Sequence, residues 1–392
     1  MTLVQRSKRP PAPGMSAIVQ RMWNYLAYSL DPSGVSPLNG DADTDNNSAA
    51  VLGAAQTFHR PDWQYIASNG RHGTRPEGNY SRVFPWAGQL VSRSGWDAHA
   101  QWSWFDLGPF GSSGHGHQCR THLSIRLGNE HILVDSGRFS YDGDLSAYLR
   151  DYGHVSRGHN VLLLDGKNQV ETPAKASTPA SVDTWSVTEA EDRARKSISF
   201  SGLPTADVHT RSLVYRRGSF WLVVDRVETT KSRTVEALWH THPDCAVTIV
   251  GSVAQVSNNV AGIDVIAASD STGRWKNTSV IRGQTKPVLQ GWFSPTYGTK
   301  IASPTISHLA DVGQGETTFA WLLVPTRRGI PSGAAATVTQ ENGTHVVVTV
   351  VYEFPPPAIG SIKENITVDV RREHARENLL GVPFLNNNER VH

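Results

Sequence analysis

The stretch "HLSIRLGNEHILVD", residues 122–135, decides how this chain is read. Apolar and polar residues alternate on both sides of Gly128-Asn129, which is the period of a half-buried strand, and a Gly-Asn pair between two such runs is hairpin chemistry. With those two residues as the loop, Leu127 pairs with Glu130 and His122 stands opposite Asp135. Leu123, Ile125, Ile132 and Val134 then share one face, the expected core face. His122, Ser124, Arg126, His131 and Asp135 share the other. A face so rich in His and Asp is either solvated surface or part of a site.

The same texture extends outward. "HTRSLVYRRGSFWLVVDRV" turns at Arg217-Gly218 and "VLLLDGKNQ" at Asp165-Gly166, while "TFAWLLVP" and "THVVVTVVYEF" continue the strand pattern. Strands joined by turns alone predict a mainly β protein, a large antiparallel sandwich of stacked sheets. Helical spacing occurs only before residue 60. "MSAIVQRMWNYLAYSL" brings Ile18, Met22, Tyr25, Leu26 and Ser29 near one face, and "NSAAVLGAAQTF" fits a second short helix. The predicted order is a disordered 1–14, a helical segment over 15–56, a β-sandwich over 57–380 and a loose tail over 381–392. So short a helical piece cannot hold a core of its own. It either packs on the β region or ends a larger helical body.

Bulk composition narrows the partners. In 392 residues the net charge is +2, too small to argue for nucleic acid or a membrane surface. Gly 34 and Pro 22 supply turns, and of Trp 12 many must be core, while exposed tryptophan is also a usual surface for stacking on sugars. Cys119 and Cys245 are too few for a disulfide framework. "MTLVQRSKRPPAPG" has basic residues without an apolar run behind them, so it is not read as a secretory signal, and no segment is apolar for long enough to span a bilayer. Location stays open.

The histidines then carry the chemistry. "GSSGHGH" brings His115 and His117 in on a glycine-rich approach, and "RGHNVLLLDG" puts His159 at the head of an apolar strand. Imidazoles with one carboxylate are a common zinc set. The His-x-His spacing alone is weak, because His240 and His242 in "LWHTHPD" repeat it and are read as structural.

"GHGHQCRTHLSIRLGNEHILVDSGRFSY" followed by "YLRDYGHVSRGHNVLLLDGKNQ" resembles the heparinase II/III-like polysaccharide lyases. "SGVSPLNGDADTDN" resembles the loop between that family's helical toroid and its β domain, and "VFPWAGQLVSRSGW", "FDLGPFGSSGHGH", "HTRSLVYRRGSFWLVVDRV" and "GWFSPTYGTK" resemble its strands. The resemblance covers most of residues 20 to 330. It implies an α/α toroid packed on an antiparallel β-sandwich, with β-elimination on a uronic-acid polymer in the cleft between. By motif, His115 would face the substrate, and His117, Asp135 and His159 would hold a structural zinc. Tyr141 matches a position where some relatives carry a tyrosine near the substrate. Arg138 and Arg157 are candidates for holding sugar carboxylates or sulfates.

Two departures stand out. Cys119 replaces an Asp that relatives usually carry two residues after the second histidine; it is either a zinc thiolate or a small buried residue. Only the last helices of the toroid are expected here, over residues 15–56, so the chain is expected to lack the Asn or His and the Tyr that the toroid supplies. The resemblance puts His117 beside Asp135, where the ideal hairpin puts His122. A bulge near residues 118–121 would reconcile the two, and His122 stays an alternative ligand. The resulting expectation is a lyase of heparin-, heparan-, alginate- or capsule-type polymers, with an acidic polysaccharide as partner and a homodimer as the expected assembly. A non-catalytic carbohydrate-binding module and a zinc hydrolase, in which the three ligands activate a water, are the alternatives.

Overall fold

The computed structural model describes residues 12–108, 115–170, 178–269, 275–327, 330–353 and 361–373. The tail 381–392 and residues 1–11 lie outside these. Three helices come first: α1 (Met15–Ser29), α2 (Ser48–Phe58) and α3 (Pro61–Ala67). The helical segment therefore runs past residue 56, because Pro61 at the first turn and Asp62 behind it start a further helix. Ile18 and Met22 are exposed, and α1 docks instead through Trp23, Leu26 and Ala27, with Leu30 just after its end, against Val51, Trp63 and Trp96.

The β region follows as stacked antiparallel sheets, as the turn-linked strands require. A five-stranded meander contains β1 (Arg82–Phe84), β2 (Gln89–Arg93), β3 (Gln101–Asp106), β4 (Leu123–Leu127) and β5 (Glu130–Leu133). A four-stranded sheet runs in the order 277–282, 304–312, 233–240, 162–164. Beyond β5 the chain pairs with the end of strand 233–240, Val134 donating to the carbonyl of His240 at 3.0 Å and His242 donating to that of Ile132 at 3.0 Å, so the two sheets form one layer. An eight-stranded sheet faces it, with strands 315–327, 220–229 and 208–216 at its centre. Between the layers lie Phe105, Leu123, Ile125, Leu133, Trp239, Tyr215, Trp221 and Trp321. A three-stranded sheet of Ala335–Glu341, His345–Glu353 and Ser361–Asp369 covers the opposite face of the eight-stranded one through Val338, Val346, Val348, Ile366 and Val368 against Phe220, Leu222 and Leu322. Among the described residues no helix is long and apolar enough to cross a membrane.

The hairpin turns where expected, with Leu127 opposite Glu130, but its register departs from the ideal. Arg126 faces His131 and Ile125 faces Leu133, leaving Ile132 as an inserted residue. Leu133 rather than Val134 therefore enters the main core, and Val134 packs with Leu38 and Phe293 near the helical side. A second irregularity lies close to the span anticipated from the family resemblance. Thr121, at φ 73°, donates to the Asp106 carbonyl while Asp106 donates to that of His122, so two residues oppose one. A β-branched residue in the left-handed region persists only where its surroundings hold it.

Candidate active site

Four segments converge at the open end of the hairpin. The first is the loop after α1. Gly40 sits at φ 58°, and a Cβ there would lie 2.3 Å from the His115 carbonyl oxygen, so only glycine lets this loop come so close. Its neighbour Asp41 then reaches across 74 positions of sequence to His115. The second segment brings His115 and His117. The third is the chain leaving β5: Asp135 accepts the Gly137 amide at 3.0 Å, and Gly137 lies against the Ser294 carbonyl, where a Cβ would meet it at 2.1 Å. The fourth is a π-helical turn, Leu149–Gly153, which delivers His154, with His159 following.

Asp41 is the hub of the outer half. One carboxylate oxygen lies 2.6 Å from His115 Nδ1 and accepts the Tyr141 hydroxyl at 2.9 Å. The other lies 2.9 Å from His117 Nε2 and 3.4 Å from His154 Nε2. Burial works against its charge, but the hydrogen bonds from His117, His154 and His115 outweigh that and hold its carboxyl far below the usual carboxylate range. His115 and Tyr141 form the accessible part. The His115 side chain is 76% exposed and Tyr141 47% exposed, and the Tyr141 hydroxyl is 3.1 Å from His115 Nδ1. Slight burial raises the Tyr141 phenol; Arg138 opposes this and Asp41 adds to it, so the hydroxyl keeps its proton at neutral pH.

The inner half is buried. His159 Nδ1 lies 2.7 Å from Asp135, and His117 and His159 rings stand 5.5 Å apart. Burial opposes ionisation of Asp135, yet the charge and hydrogen bond of His159 keep it well below the usual range. One donor atom each from His117, Asp135 and His159 lie within 4.8 Å of one another, and Asp41, His117 and His154 make a second such group. His117 Nδ1 and His159 Nε2 are buried without a hydrogen-bond partner. Orphaned imidazole nitrogens beside a carboxylate fit a metal with N and O ligands.

The other sequence candidates fall as follows. His122 lies 3.6 Å from Asp135, but its ring is engaged elsewhere: Nε2 is 2.7 Å from Ser124 Oγ and Nδ1 accepts the Asn160 amide at 3.0 Å. Burial lowers its pKa to about 3. Cys119 lies outside both donor groups. Its thiol, pushed up by burial, donates to Asp106 at 3.2 Å. His240 is bracketed by Asn160 and Gln290, each at 3.0 Å. Arg138 is at the site, with two bonds to Asp43 at 2.6 and 2.9 Å. Arg157 points to Glu236 at 2.8 Å. Sequence reasoning passed over Asp41, Asp43 and His154. The first two lie in "SGVSPLNGDADTDN", read only as a connecting loop, and the third in "YLRDYGHVSRGHNVLLLDGKNQ" without a role, because nothing local says that a loop will fold back across the site.

Asp106 gives a pH signature. Burial raises its carboxyl to about 6, only partly offset by the Cys119 thiol and the Gly108 amide. Its pKa is thus higher folded than unfolded, where it is about 4. The folded state binds the proton more tightly, so Asp106 favours folding most below pH 4, and this contribution falls away between about pH 4 and 6. Asp106→Asn is expected to flatten that segment of the stability–pH curve, measured by urea unfolding at fixed pH values; an unchanged slope would refute the assignment.

Residues 77–322 of the chain match one domain type, the heparinase II/III-like C-terminal domain. The chain belongs to that family. No curated protein matches it. Among solved structures, the heparan sulfate lyase HepC from Pedobacter heparinus superposes with a TM-score of 0.74 at 18% identity, over 95% of this chain and 56% of that one. A structure titled heparinase III gives 0.72 at 15%, over 93% and 56%. Likeness at these identities is likeness of fold. The chain spans about half the length of these proteins.

Proposed function

We propose that this chain carries the β-domain half of a polysaccharide lyase site and acts on uronate-containing polymers by β-elimination. The observation that carries this is the exposed His115–Tyr141 pair, 3.1 Å apart and braced by one buried carboxylate, Asp41. Elimination from a 4-linked uronate needs three things. The sugar carboxylate must be neutralised, the proton on carbon 5 must be removed, and the departing glycosidic oxygen must receive a proton. An imidazole titrates near neutrality and suits the first two tasks. Tyr141 retains its phenolic proton and suits the third. Arg138, fixed by Asp43, lies 3.3 Å from the Tyr141 hydroxyl and orients it.

The inner group serves this pair as foundation. His117, Asp135 and His159 would hold zinc, which would pin the segments bearing His115 and Tyr141 to one another. Their burial and the free nitrogens of His117 and His159 support that reading.

The test is absorbance of the unsaturated uronate product on a panel of heparan, chondroitin, hyaluronan, alginate and capsule polymers. The wild-type chain is expected to give a rising signal on at least one polymer. His115→Ala and Tyr141→Phe are each expected to lower the rate by about 10²–10⁴, the usual range for an acid or base. Full activity in both variants would rule the pair out.

A further inference from the structure

Beside the Tyr141 edge of the site lies a second exposed feature, formed by the loop 294–300. It is fixed to the site loop. Ser294 donates to the Ser136 carbonyl at 2.8 Å, Ser294 Oγ accepts the Phe139 amide at 3.1 Å, and Gly298 donates to the Phe139 carbonyl at 2.7 Å. Two side chains of this loop face outward. Tyr297 is 42% exposed and its ring is 5.4 Å from that of Tyr141. Lys300 is exposed, with its ammonium 4.3 Å from the Tyr148 ring centroid and 4.5 Å from that of Trp292, and it donates to the Tyr148 hydroxyl at 3.0 Å.

Charge balance singles out Lys300. The arginines nearby are neutralised within the chain: Arg138 by Asp43, Arg150 by Asp151 and Arg157 by Glu236. Lys300 pairs with no carboxylate among the described residues. Its position is set by aromatic faces and one hydroxyl, which hold a cation without cancelling its charge. An ammonium has three donors and only one is used here. A surface charge meant only for solubility needs no such cradle.

We propose that Tyr297 and Lys300 form an anionic-sugar subsite next to the candidate active site, Tyr297 stacking on a sugar ring and Lys300 bonding a carboxylate or sulfate of the bound polymer. This rests on the polysaccharide reading above. Arg138 lies over one side of these rings, 4.8 Å from the Tyr297 centroid and 5.7 Å from that of Tyr141, so a sugar would stack on the exposed part of Tyr297, and the ammonium supplies a charge-assisted hydrogen bond. The subsite would set the register of the polymer along the sheet edge and favour chains with an anionic group beside the cleaved linkage.

The test reads binding apart from reaction. In a His115→Ala background, calorimetric affinity is measured for a sulfated heparin hexasaccharide and for an unsulfated uronate-containing hexasaccharide. Lys300→Gln is expected to weaken binding about tenfold, the size of one hydrogen bond to a charged group. Lys300→Arg is expected to restore most of it, and Tyr297→Ala to weaken binding several-fold on both probes. A Lys300→Gln loss confined to the heparin probe assigns the sulfate; an equal loss on both assigns the carboxylate. Unchanged affinity in Lys300→Gln, or no binding of either probe by the parent, overturns the subsite. Binding that depends on Lys300 in a chain that shows no elimination leaves the subsite standing and removes the reaction.

Discussion

Asp135→Ala is expected to abolish stoichiometric zinc binding and to cost about 3–5 kcal/mol of folding stability, the usual size when one partner of a buried charged pair is removed. Asp135 is 3% exposed. Besides His159 it holds the Gly137 amide, which anchors the tight contact of that glycine with the Ser294 carbonyl. The loss therefore spreads from the ligand set to the loop bearing Tyr141. Metal content by atomic emission, with guanidinium unfolding of metal-loaded and chelated protein, separates the two parts. Wild-type stability should fall on chelation, and that of Asp135→Ala should not change further. A wild-type chain without zinc, or a variant that keeps as much zinc as the wild type, would contradict the proposed centre.

The second large effect lies beneath the site. Asp225 is fully buried and accepts two bonds from Arg211 at 2.7 and 3.0 Å, one from His209 at 2.7 Å and one from Trp321 at 2.9 Å. Arg211 in turn donates to the carbonyls of Thr121 at 3.0 Å and Asn160 at 2.6 Å. It thus ties the strained turn before His122 to the residue after His159. Asp225→Ala leaves a buried guanidinium unpaired and is expected to cost about 3–5 kcal/mol. The apolar double replacement Arg211→Met with Asp225→Leu should cost less, because no charge is stranded. It still unties Thr121 and Asn160, so elimination activity should fall while the chain remains folded. Urea unfolding of the single and double variants, with the activity assay, checks both halves. A double variant with full activity would show that Arg211 only fills space.

Much of this was legible from local pattern. Alternation and turn residues sufficed for the strands 208–216 and 220–229 and for the Asp165-Gly166 turn, because period and turn chemistry act within a few residues. Register inside the 122–135 hairpin was not legible. Inserting Ile132 costs little locally and is decided by which of Leu133 and Val134 fits the core. Both His122 and His117 stand near Asp135, which the ideal hairpin and the family resemblance each half describe. Asp41 was invisible as a site residue. Its partners lie 74 to 113 positions away, and no periodicity reports such distances. The loop "PLNGDADTDN" carries one hint in Gly40, whose positive φ and close approach to the His115 carbonyl both require glycine.

The mass of the cleavage products is the most direct test of the central claim. Elimination divides the polymer without adding water, so the two products sum to the mass of the substrate and one carries the unsaturated end. The site as described predicts that result for a size-defined uronate oligosaccharide that the chain cleaves, and its loss in His115→Ala. Products heavier in sum by one water would contradict it and make His117, Asp135 and His159 the centre of a hydrolase instead.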